Sequence, residues 1–424
     1  MNILVVGQGG REHAIVKSLK KSPKVNQVYC APGNGGIAQD AICLPIAEND
    51  FEKLITAVRE YKIDLTVVGP EQPLIEGIVD VFQEQGLPII GPTKAAAQIE
   101  GSKSFAKQLM GKYRIPTGNY QVFYTSKEAI DYVKQQGVPV VIKADGIAAG
   151  KGVVVAHQLE EAISAINSIM EDKIFGDAGQ SVVIEEFLSG EELTVMAFVD
   201  ANSIAVMEPA QDHKPVYDED KGPNTGGMGA YSPVPHMKES LLNEVYDQIL
   251  LPTVEAMKQE GIPFTGILYA GLMITNEGPM VIEFNARFGD PETQVVLPRL
   301  ETDLVEVLLA IRDKRLNEMH LEWKKEAAVS VVMVSAGYPK EYKKGMPIIE
   351  HAMPSKTQVF YAGAKLLEEQ LVTAGGRVLA VTGLGTTIEE AQRRAYQGVN
   401  NINFEGAHYR RDIANKTINR IANS

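Results

Sequence analysis

Short apolar runs alternate with amphipathic stretches through the first hundred residues. Four runs, at residues 2–6, 26–31, 65–69 and 87–90, each stop near a glycine or a proline, as buried parallel strands do. Between them, residues 12–20 and 51–61 repeat apolar side chains at helical spacing. Strands that alternate with helices predict an open parallel α/β domain over residues 1–100, with its ligand loops at the carboxyl ends of the strands.

The pattern becomes more mixed after residue 100. It predicts helices at 102–113 and 241–259, strands at 138–144 and 181–187, a long polar loop at 212–233, and a hairpin of 267–274 with 280–284. New apolar strands follow at 328–335 and 378–382, and Thr386-x-x-Glu389 predicts a capping box that opens a helix. We therefore expect a second domain over residues 101–325, with a lid at about 120–190, and a third over residues 326–424.

Composition narrows the class of protein. A chain of 424 residues is too long for one ordinary core, which fits two to four domains. Its net charge of −13 argues against a general nucleic-acid binder. Two cysteines outside any CxxC pair favour a reducing compartment, and no apolar run reaches the length that spans a bilayer. The N-terminus looks like a buried strand and not like a signal peptide. We expect a cytoplasmic protein with no membrane partner.

The stretch at residues 280–288 carries candidate metal chemistry. In an extended chain, Glu283, Asn285 and Arg287 face one side together with Val281, and the apolar residues between them face the core. A carboxylate and an amide oxygen are hard ligands suited to Mg²⁺, and an arginine beside them can neutralise a phosphoryl group. A half-exposed strand with one ordinary ion pair is the alternative, and the acidic turn at residues 289–292 argues against it.

Two further segments have the character of a nucleotide site. Lys143 ends a strand and leads into a loop of small residues that closes with Lys151 and Gly152, which suits phosphate binding. It is not a P-loop, because Gly152 stands where serine or threonine would bind the metal. The apolar strand before Glu185 continues into a polar connector that can present backbone groups to a purine. An ordinary solvated loop is the alternative for each segment.

Together these segments resemble the ATP-grasp fold in their order and spacing. The resemblance implies an ATP-grasp core of two α+β subdomains, flanked by the Rossmann-like N-terminal domain and a small C-terminal α+β domain. It implies that Glu283 and Asn285 bind Mg²⁺ or Mn²⁺, although Ala270 and Gly271 stand where many relatives have another acid, which leaves the number of metal ions open. It also implies a set of residues that contact ATP: Lys103, Lys143, Gly146, Lys151, Gly152, Glu185, Glu186, Phe187, Leu188 and Glu192.

Four glycine-rich or acidic motifs narrow the resemblance. They are Gly7-x-Gly9-Gly10-Arg11-Glu12-His13-Ala14, Gly33-Asn34-Gly35-Gly36, Gly222-Pro223-Asn224-Thr225-Gly226-Gly227-Met228-Gly229 and Arg287-Phe288-Gly289-Asp290-Pro291-Glu292. Across essentially the whole chain they resemble the phosphoribosylamine–glycine ligase family. That resemblance implies ATP-dependent joining of glycine to 5-phosphoribosylamine through a glycyl phosphate, early in purine biosynthesis. It also implies transient contact with the amidotransferase that supplies the amine.

The N-terminal glycines fit a phosphate better than a dinucleotide. Glu12 stands at the third glycine position of the dinucleotide fingerprint, and the second strand ends without an acid for a ribose hydroxyl. A single phosphate at the helix N-terminus suits the motif better, and phosphoribosylamine carries one. The expected substrate-binding residues are Gly9, Gly10, Arg11, Gly33, Asn34, Gly35, Glu71, Asn224, Thr225, Gly226, Asp290 and Glu292, and the expected catalytic residues are Lys143, Asp212 and Arg287.

Two other functions stay open at this point. One is a different ATP-grasp ligase or carboxylase, which a panel of substrates would distinguish. The other is a nucleotide sensor or scaffold without catalysis, which would bind ATP but not turn it over.

Overall fold

The N-terminal domain is an open parallel sheet with helices on both faces. A computed structural model describes residues 1–147 and 152–423 of the chain. The first elements are β1 (Asn2–Gly7), α1 (Gly10–Leu19), β2 (Gln27–Pro32), β3 (Ile42–Cys43), α2 (Phe51–Glu60), β4 (Leu65–Val68), α3 (Glu71–Glu76), α4 (Ile78–Glu84), β5 (Ile89–Ile90) and α5 (Gln98–Gly101). The strand order is β3-β2-β1-β4-β5, and all neighbours run parallel. The order reverses between β1 and β4, which is where such sheets bind ligands.

A small antiparallel unit follows. Its elements are α6 (Lys103–Tyr113), β6 (Tyr120–Phe123), α7 (Ser126–Gln136), β7 (Val140–Ala144), β8 (Val153–Ala156), α8 (Leu159–Met170) and β9 (Val182–Glu186). The strands form a sheet in the order β6-β9-β7-β8, and one face of it packs with α7 and α8 around a core of its own. Ser102 caps α6 by accepting a hydrogen bond from the backbone N–H of Phe105.

The central part of the chain builds a long antiparallel sheet. The elements of this part of the chain, not all of which belong to that sheet, are β10 (Glu191–Asp200), β11 (Ile204–Val206), β12 (Gln211–Asp212), β13 (Pro215–Tyr217), β14 (Lys221–Asn224), β15 (Gly229–Ser232), α9 (Glu239–Val245), α10 (Leu251–Gln259), β16 (Thr265–Thr275) and β17 (Gly278–Asn285). The sheet order is β11-β10-β16-β17. A π-helical turn, Tyr246–Leu250, joins α9 to α10. The predicted hairpin is confirmed as β16 and β17.

The prediction of one long polar loop at residues 212–233 is wrong. That segment contains β13, β14 and β15, and β15 is fully buried. Strands β12 and β15 extend the sheet of the C-terminal part, so a cut between residues 325 and 326 would divide one sheet. The sequence hides this because both strands are short, and β15, the partner of β12, pairs with β18 about a hundred residues further along the chain.

The C-terminal part completes that sheet. Its elements are α11 (Thr293–Val296), α12 (Leu304–Arg312), β18 (Ala327–Val334), β19 (Ile349–Glu350), β20 (Thr357–Tyr361), β21 (Ala364–Leu367), β22 (Gln370–Thr373), β23 (Arg377–Gly385), α13 (Ile388–Val399), β24 (Ile402–Asn403) and α14 (Asn415–Ala422). The order is β12-β15-β18-β23-β20. The predicted capping box lies one residue further on, because Thr387 caps α13 and Glu390 bonds back to Thr386. None of the described helices is long and apolar enough to cross a membrane.

Candidate active site

A polar cavity of about 300 Å³ lies where the three parts of the chain meet. Its walls are helix α6, the β6-β9-β7-β8 sheet, the central sheet and the segment from β12 to β15, and the switch point of the N-terminal sheet faces it. Its charged lining residues are Arg11, Glu71, Glu100, Lys103, Lys107, Lys143, Glu185, Asp212, Lys214, Glu283, Arg287, Asp290, Glu292 and Arg377. Both cations and acids line the wall, which suits a ligand with several charged groups.

Strand β17 carries Glu283 and Asn285 to this cavity, as predicted, but Val281 does not share their side. Gly271 pairs with Glu283 and Leu272 with Val281, so Ile282 forms a β-bulge that resets the alternation. Val281 instead packs in the core with Phe284. Within residues 1–147 and 152–423, the Glu283 carboxylate accepts no hydrogen bond and forms no ion pair. Burial raises its pKa, but Lys214, Lys143 and Lys103 outweigh burial, so the net shift is downward.

Arg287 joins the end of β17 to the N-terminal part of the cavity. Its Nη2 lies 2.9 Å from Glu100 Oε1 and donates to Asn285 Oδ1 at 3.2 Å, and its Nε donates to Glu71 at 3.2 Å. Glu100 also accepts a hydrogen bond of 2.7 Å from the backbone N–H of Ala286. Burial raises the pKa of Glu100 to about 7. For Glu71, Arg287 and Arg11 outweigh burial and lower the pKa to about 2. Arg287 is therefore held between two carboxylates.

Two of the lysines predicted to bind phosphate lie in the cavity, and each donates a hydrogen bond to a different backbone carbonyl. Lys103 Nζ donates to the carbonyl of Gly146 at 2.7 Å, and Lys143 Nζ donates to the carbonyl of Ile282 at 2.9 Å. Burial lowers the pKa of Lys103. Gly146 and Gly152 line the same cavity, whereas Lys151 lies outside the described residues. The site thus brings Lys103, Lys143 and both predicted glycines together.

Of residues 185–188, which are expected to bind adenine, the first lines the cavity and the other three do not. Glu185 is 6% exposed and lines the cavity, where its two oxygens each lie 2.8 Å from a lysine, Lys107 or Lys143. Glu186 is exposed and accepts hydrogen bonds from the backbone and side chain of Asn119. The Phe187 ring stands edge-on to His157 at 5.5 Å. Neither Glu186, Phe187 nor Leu188 is among the cavity-lining residues, so their contact with adenine stays a prediction.

Asp212 lies between the central cavity and an adjoining one of about 450 Å³ that Glu192 also lines. Lys214 lines both cavities and pairs with Glu192 at 2.9 Å. Burial raises the pKa of Asp212 to about 7, with Glu292 and Glu192 adding to the effect and Lys214 opposing it. Glu292 is 3% exposed and accepts a hydrogen bond of 2.7 Å from the Tyr269 hydroxyl. No group of three or more acidic, histidine or cysteine side chains in the described chain is placed to hold a metal alone.

The N-terminal glycine motif is capped by its own acid. Glu12 Oε2 accepts the backbone N–H of Gly9, and Glu12 Oε1 lies 2.6 Å from Arg11 Nε. The carboxylate therefore occupies the helix N-terminus at which a phosphate is expected. Arg11 reaches the central cavity, whereas Gly9 and Gly10 do not line it. Phosphate binding at these glycines stays a prediction.

The second glycine turn joins the N-terminal and C-terminal parts. Asn34 Nδ2 donates to the carbonyl of Tyr361 at 2.9 Å, and Gly35 N–H donates to the carbonyl of Ala364 at 3.0 Å. A Cβ on Gly35 would come within 2.7 Å of the Leu366 backbone nitrogen, so only glycine fits there. Gly33, Asn34 and Gly35 do not line the cavity. Their visible role is docking, and their role in binding substrate stays a prediction.

Arg377 of β23 connects two of the predicted substrate-binding residues, Gly226 and Asp290. Arg377 Nη1 donates to the carbonyls of Gly226 and Asp290 at 2.7 and 2.9 Å and lies 3.1 Å from Asp290 Oδ1. Thr225 and Gly226 line the central cavity, and Asn224 lines the adjoining one. Burial raises the pKa of Asp290, but Arg377 and Arg11 outweigh it and lower the net value. The two long family motifs thus come into contact at the cavity.

Family models account for most of the chain. Models of phosphoribosylglycinamide synthetase match residues 1–100 as the N domain, 101–293 as the ATP-grasp (A) domain and 328–416 as the C domain. The chain belongs to the phosphoribosylglycinamide synthetase family. The predicted family and the predicted ATP-grasp fold are therefore confirmed.

Relatives in the phosphoribosylglycinamide synthetase family match the chain from end to end. The phosphoribosylamine–glycine ligase of Halalkalibacterium halodurans is 54% identical over 419 residues, which cover 99% of this chain and 97% of that protein. The ligase of Escherichia coli (strain K12) is 48% identical over 431 residues and covers 100% of both.

Solved structures agree with this family assignment. The crystal structure of the Thermotoga maritima phosphoribosylamine–glycine ligase matches with a TM-score of 0.87 at 35% identity, covering 98% of this chain and 100% of that one. A biotin carboxylase from Campylobacter jejuni, at a TM-score of 0.75 and 13% identity, covers 96% of this chain and 92% of that one. The second match shows the fold alone.

Within the phosphoribosylglycinamide synthetase fold, five charged or polar lining residues escaped the sequence prediction. They are Glu100, Lys107, Lys214, Tyr269 and Arg377. Lys107 lies one helical turn after Lys103, and Lys214 lies two residues after Asp212 on the same segment, so helical and strand spacing could have found both. Arg377 gave no signal, because only the folded sheet brings β23 to the cavity.

Proposed function

We propose that this chain joins glycine to 5-phosphoribosylamine, giving glycinamide ribonucleotide while ATP becomes ADP and phosphate, as a step of purine biosynthesis. The observation that supports this most directly is a single cavity. It combines Lys103 and Lys143, the Glu283 carboxylate, which has no partner among the described residues, and Arg11 with Glu71 from the switch point of the N-terminal sheet. The names of its close relatives, phosphoribosylamine–glycine ligases of matching length, support the same reaction.

The reaction proceeds in two steps. An oxygen of the glycine carboxylate attacks the γ-phosphorus of ATP, and the bond to the bridging oxygen breaks to release ADP and leave glycyl phosphate. The amine of phosphoribosylamine then attacks the acyl carbon, phosphate departs, and the amine loses a proton. Phosphoryl transfer of this kind depends on positioning and charge stabilisation and needs no side-chain nucleophile. Lys103, Lys143 and Arg287 supply positive charge around the transferred group.

A divalent metal belongs to this chemistry, as ATP-grasp enzymes use ATP with a divalent metal. The residues present fit Mg²⁺, or Mn²⁺ in its place: Glu283 offers a carboxylate without a partner in the described chain, and Asn285 offers an amide oxygen beside it. Mg²⁺ commonly takes one or two protein ligands and completes its shell with water and phosphate oxygens. When bound, the metal neutralises charge on the phosphates.

We assign the remaining residues to ATP or to the amine substrate. ATP phosphates contact Lys103, Lys143, Gly146, Lys151 and Gly152, and the base and ribose lie towards Glu185–Leu188 and Glu192. The ribose phosphate of the amine substrate lies on the side of Arg11 and Glu71, with Asp290, Glu292 and the Asn224–Gly226 turn completing that side. Asp212 lies between the two groups of residues and stays a catalytic candidate. In this proposal the substrate-binding domain is residues 1–100, the ATP-grasp domain is residues 101–325 and the C-terminal domain is residues 326–424. The protein acts in the cytoplasm, in transient contact with the amidotransferase that supplies the amine.

Glycine-dependent release of ADP tests the function. The chain is incubated with ATP, Mg²⁺ and phosphoribosylamine, and with glycine, alanine, serine, bicarbonate or no further acid. We expect ADP release and formation of the amide only with glycine. Release that is equal for all acids, or is driven by bicarbonate, would assign the chain to another ATP-grasp reaction. ATP binding without release would indicate a nucleotide sensor.

A further inference from the structure

A lysine that neither of the proposed steps uses lies buried beneath the nucleotide cavity. Lys107 is 2% exposed, sits on the inner face of α6 one turn after Lys103, and lines the central cavity. A lysine is rarely buried this deeply unless it is paired, because removing its charge from water is costly. Its partners should therefore explain why the chain places it there.

Lys107 and Lys143 hold one carboxylate between them. Lys107 Nζ lies 2.8 Å from Glu185 Oε2, and Lys143 Nζ lies 2.8 Å from Glu185 Oε1. Lys107 also donates to Thr117 Oγ1 at 2.7 Å, and Thr117 donates to the carbonyl of Val281 at 2.7 Å. The group joins α6 to strands β7 and β9 and, through Thr117, to strand β17, which carries Glu283.

The charges of this group do not cancel. Two ammonium groups and one carboxylate leave one positive charge in excess. Without Lys107, the single carboxylate would neutralise Lys143, and this group of side chains would keep no positive charge in excess. A phosphate at Lys143 would then compete with Glu185 for the same ammonium group.

We propose that Lys107 is a positioning residue for the nucleotide: it neutralises Glu185, so that Lys143 stays available to the phosphates. This inference rests on the proposed function in so far as Lys143 binds phosphate. It also explains why both oxygens of Glu185 are already paired with lysines before any adenine contact.

The acid–base behaviour of Lys107 supports this role. Burial lowers its pKa from 10.5 to about 8, although Glu185 opposes the shift and Lys143 adds to it. Among the described residues, Tyr120 of β6 also faces it, with its ring centroid 5.8 Å from Nζ and a pKa that burial raises, and Lys103 lies one turn earlier on the same helix. The phenol stays neutral in this range. Above about pH 8 Lys107 loses its charge, and Glu185 is left to Lys143.

The test is ADP binding, measured by isothermal titration calorimetry at pH 7 with adenosine as the phosphate-free reference. Lys107→Met should raise the dissociation constant for ADP by about tenfold or more, since it removes one partner of a buried charge pair, and should leave adenosine binding little changed. Lys107→Arg should restore ADP binding. Lys112→Met is the matched control, because Lys112 lies on the same helix but is exposed and pairs with Glu260.

A pH series gives a readout that a purely structural lysine would not move. Between pH 7 and 9.5, the unaltered chain should lose ADP affinity above about pH 8, the Lys107→Arg variant should keep it, and the Lys107→Met variant should show no such decline. Titration of Lys107 does not cause this loss through unfolding: between about pH 8 and 10.5 the unfolded chain binds the proton that folded Lys107 has lost, so the contribution of Lys107 to stability rises with pH there.

Several outcomes would overturn the inference. These are unchanged ADP affinity in Lys107→Met, an equal loss for ADP and adenosine, or a pH decline that persists in Lys107→Arg. If Lys107→Met fails to fold, the pH series on the unaltered chain and Lys107→Arg still decides. An unaltered chain that binds no ADP would refute the nucleotide site itself. Normal ADP binding without glycine-dependent ADP release would refute the ligase function and leave this inference standing.

Discussion

Replacing Glu100 with glutamine separates the charge of this residue from its shape. Glu100 accepts the backbone N–H of Ala286 and pairs with Arg287 beneath the cavity. Glutamine keeps an oxygen for the N–H, and it replaces the oxygen that faces Arg287 with an uncharged NH2 group. The prediction is therefore an effect on activity with little effect on stability.

The magnitude follows from two opposing terms. A pKa raised from 4.5 to about 7 means that the site disfavours the Glu100 carboxylate by about 3 kcal/mol, even with Arg287 beside it. Glutamine relieves most of this but loses a hydrogen bond to a charged group, worth about 1.5–3 kcal/mol. The free energy of unfolding should therefore change by no more than about 1 kcal/mol. Arg287→Met, in contrast, leaves Glu71 and Glu100 without their cation and should cost about 3–5 kcal/mol.

Urea denaturation at pH 5 and pH 7.5, together with the glycine-dependent rate, tests this. Because folding raises the pKa of Glu100, the folded chain holds an extra proton between about pH 4.5 and 7, so its contribution to stability falls as pH rises through that window. Glu100→Gln should lack that part of the slope. Its ligase rate should drop at least about tenfold, since Arg287 loses an anchor. A loss of stability above about 3 kcal/mol in Glu100→Gln, or a smaller loss in Arg287→Met than in Glu100→Gln, would refute the reasoning.

Three further changes have defined outcomes. Glu283→Gln should lower metal-stimulated ADP release at least about tenfold while metal-free ADP binding persists; full activity would remove the metal site. Arg377→Met should reduce the free energy of unfolding by about 2–3 kcal/mol and raise the KM for phosphoribosylamine more than that for ATP; equal KM changes would contradict its placement on the amine side. Burial lowers the pKa of His13, whose Nδ1 accepts the Tyr361 N–H, so stability should fall as pH drops below 6.5. His13→Phe should abolish that slope in urea titrations between pH 6.5 and 5, and a slope that persists would assign it to another group.

The N-terminal sheet was predictable because each of its longer strands is buried on both faces. A strand such as β1 or β4 then reads as one apolar run, and parallel neighbours follow from the helices between them. The C-terminal sheet was not predictable in the same way. Strand β12 has two residues and pairs with β15, which begins with glycine, and β15 in turn pairs with β18, about a hundred residues further along the chain.

The site residues also fall into those that local geometry predicts and those that depend on contacts between distant parts of the chain. Alternation along a strand predicted that Glu283 and Asn285 face the same side, because the direction of those side chains depends on local geometry alone. The same rule failed for Val281, since a β-bulge is set by the partner strand and has no signature in its own sequence. Residues that contact another domain, such as Arg377, could not be predicted. The sheet that carries Arg377 forms between strands far apart in the sequence, and no local pattern shows that pairing.

Charge balance in the cavity explains why this chemistry calls for a metal. Of the lining residues in the described chain, seven are cations (Arg11, Lys103, Lys107, Lys143, Lys214, Arg287 and Arg377) and seven are acids (Glu71, Glu100, Glu185, Asp212, Glu283, Asp290 and Glu292). By formal count they cancel, and several of the cations are already paired, so this wall alone offers no surplus of positive charge to a triphosphate. Glu71, Glu100, Glu185 and Asp290 each pair with a cation, whereas the carboxylates of Glu283 and Asp212 have no hydrogen-bond or ion-pair partner among the described residues. A divalent cation at Glu283 would supply the missing charge without displacing a cation from that carboxylate.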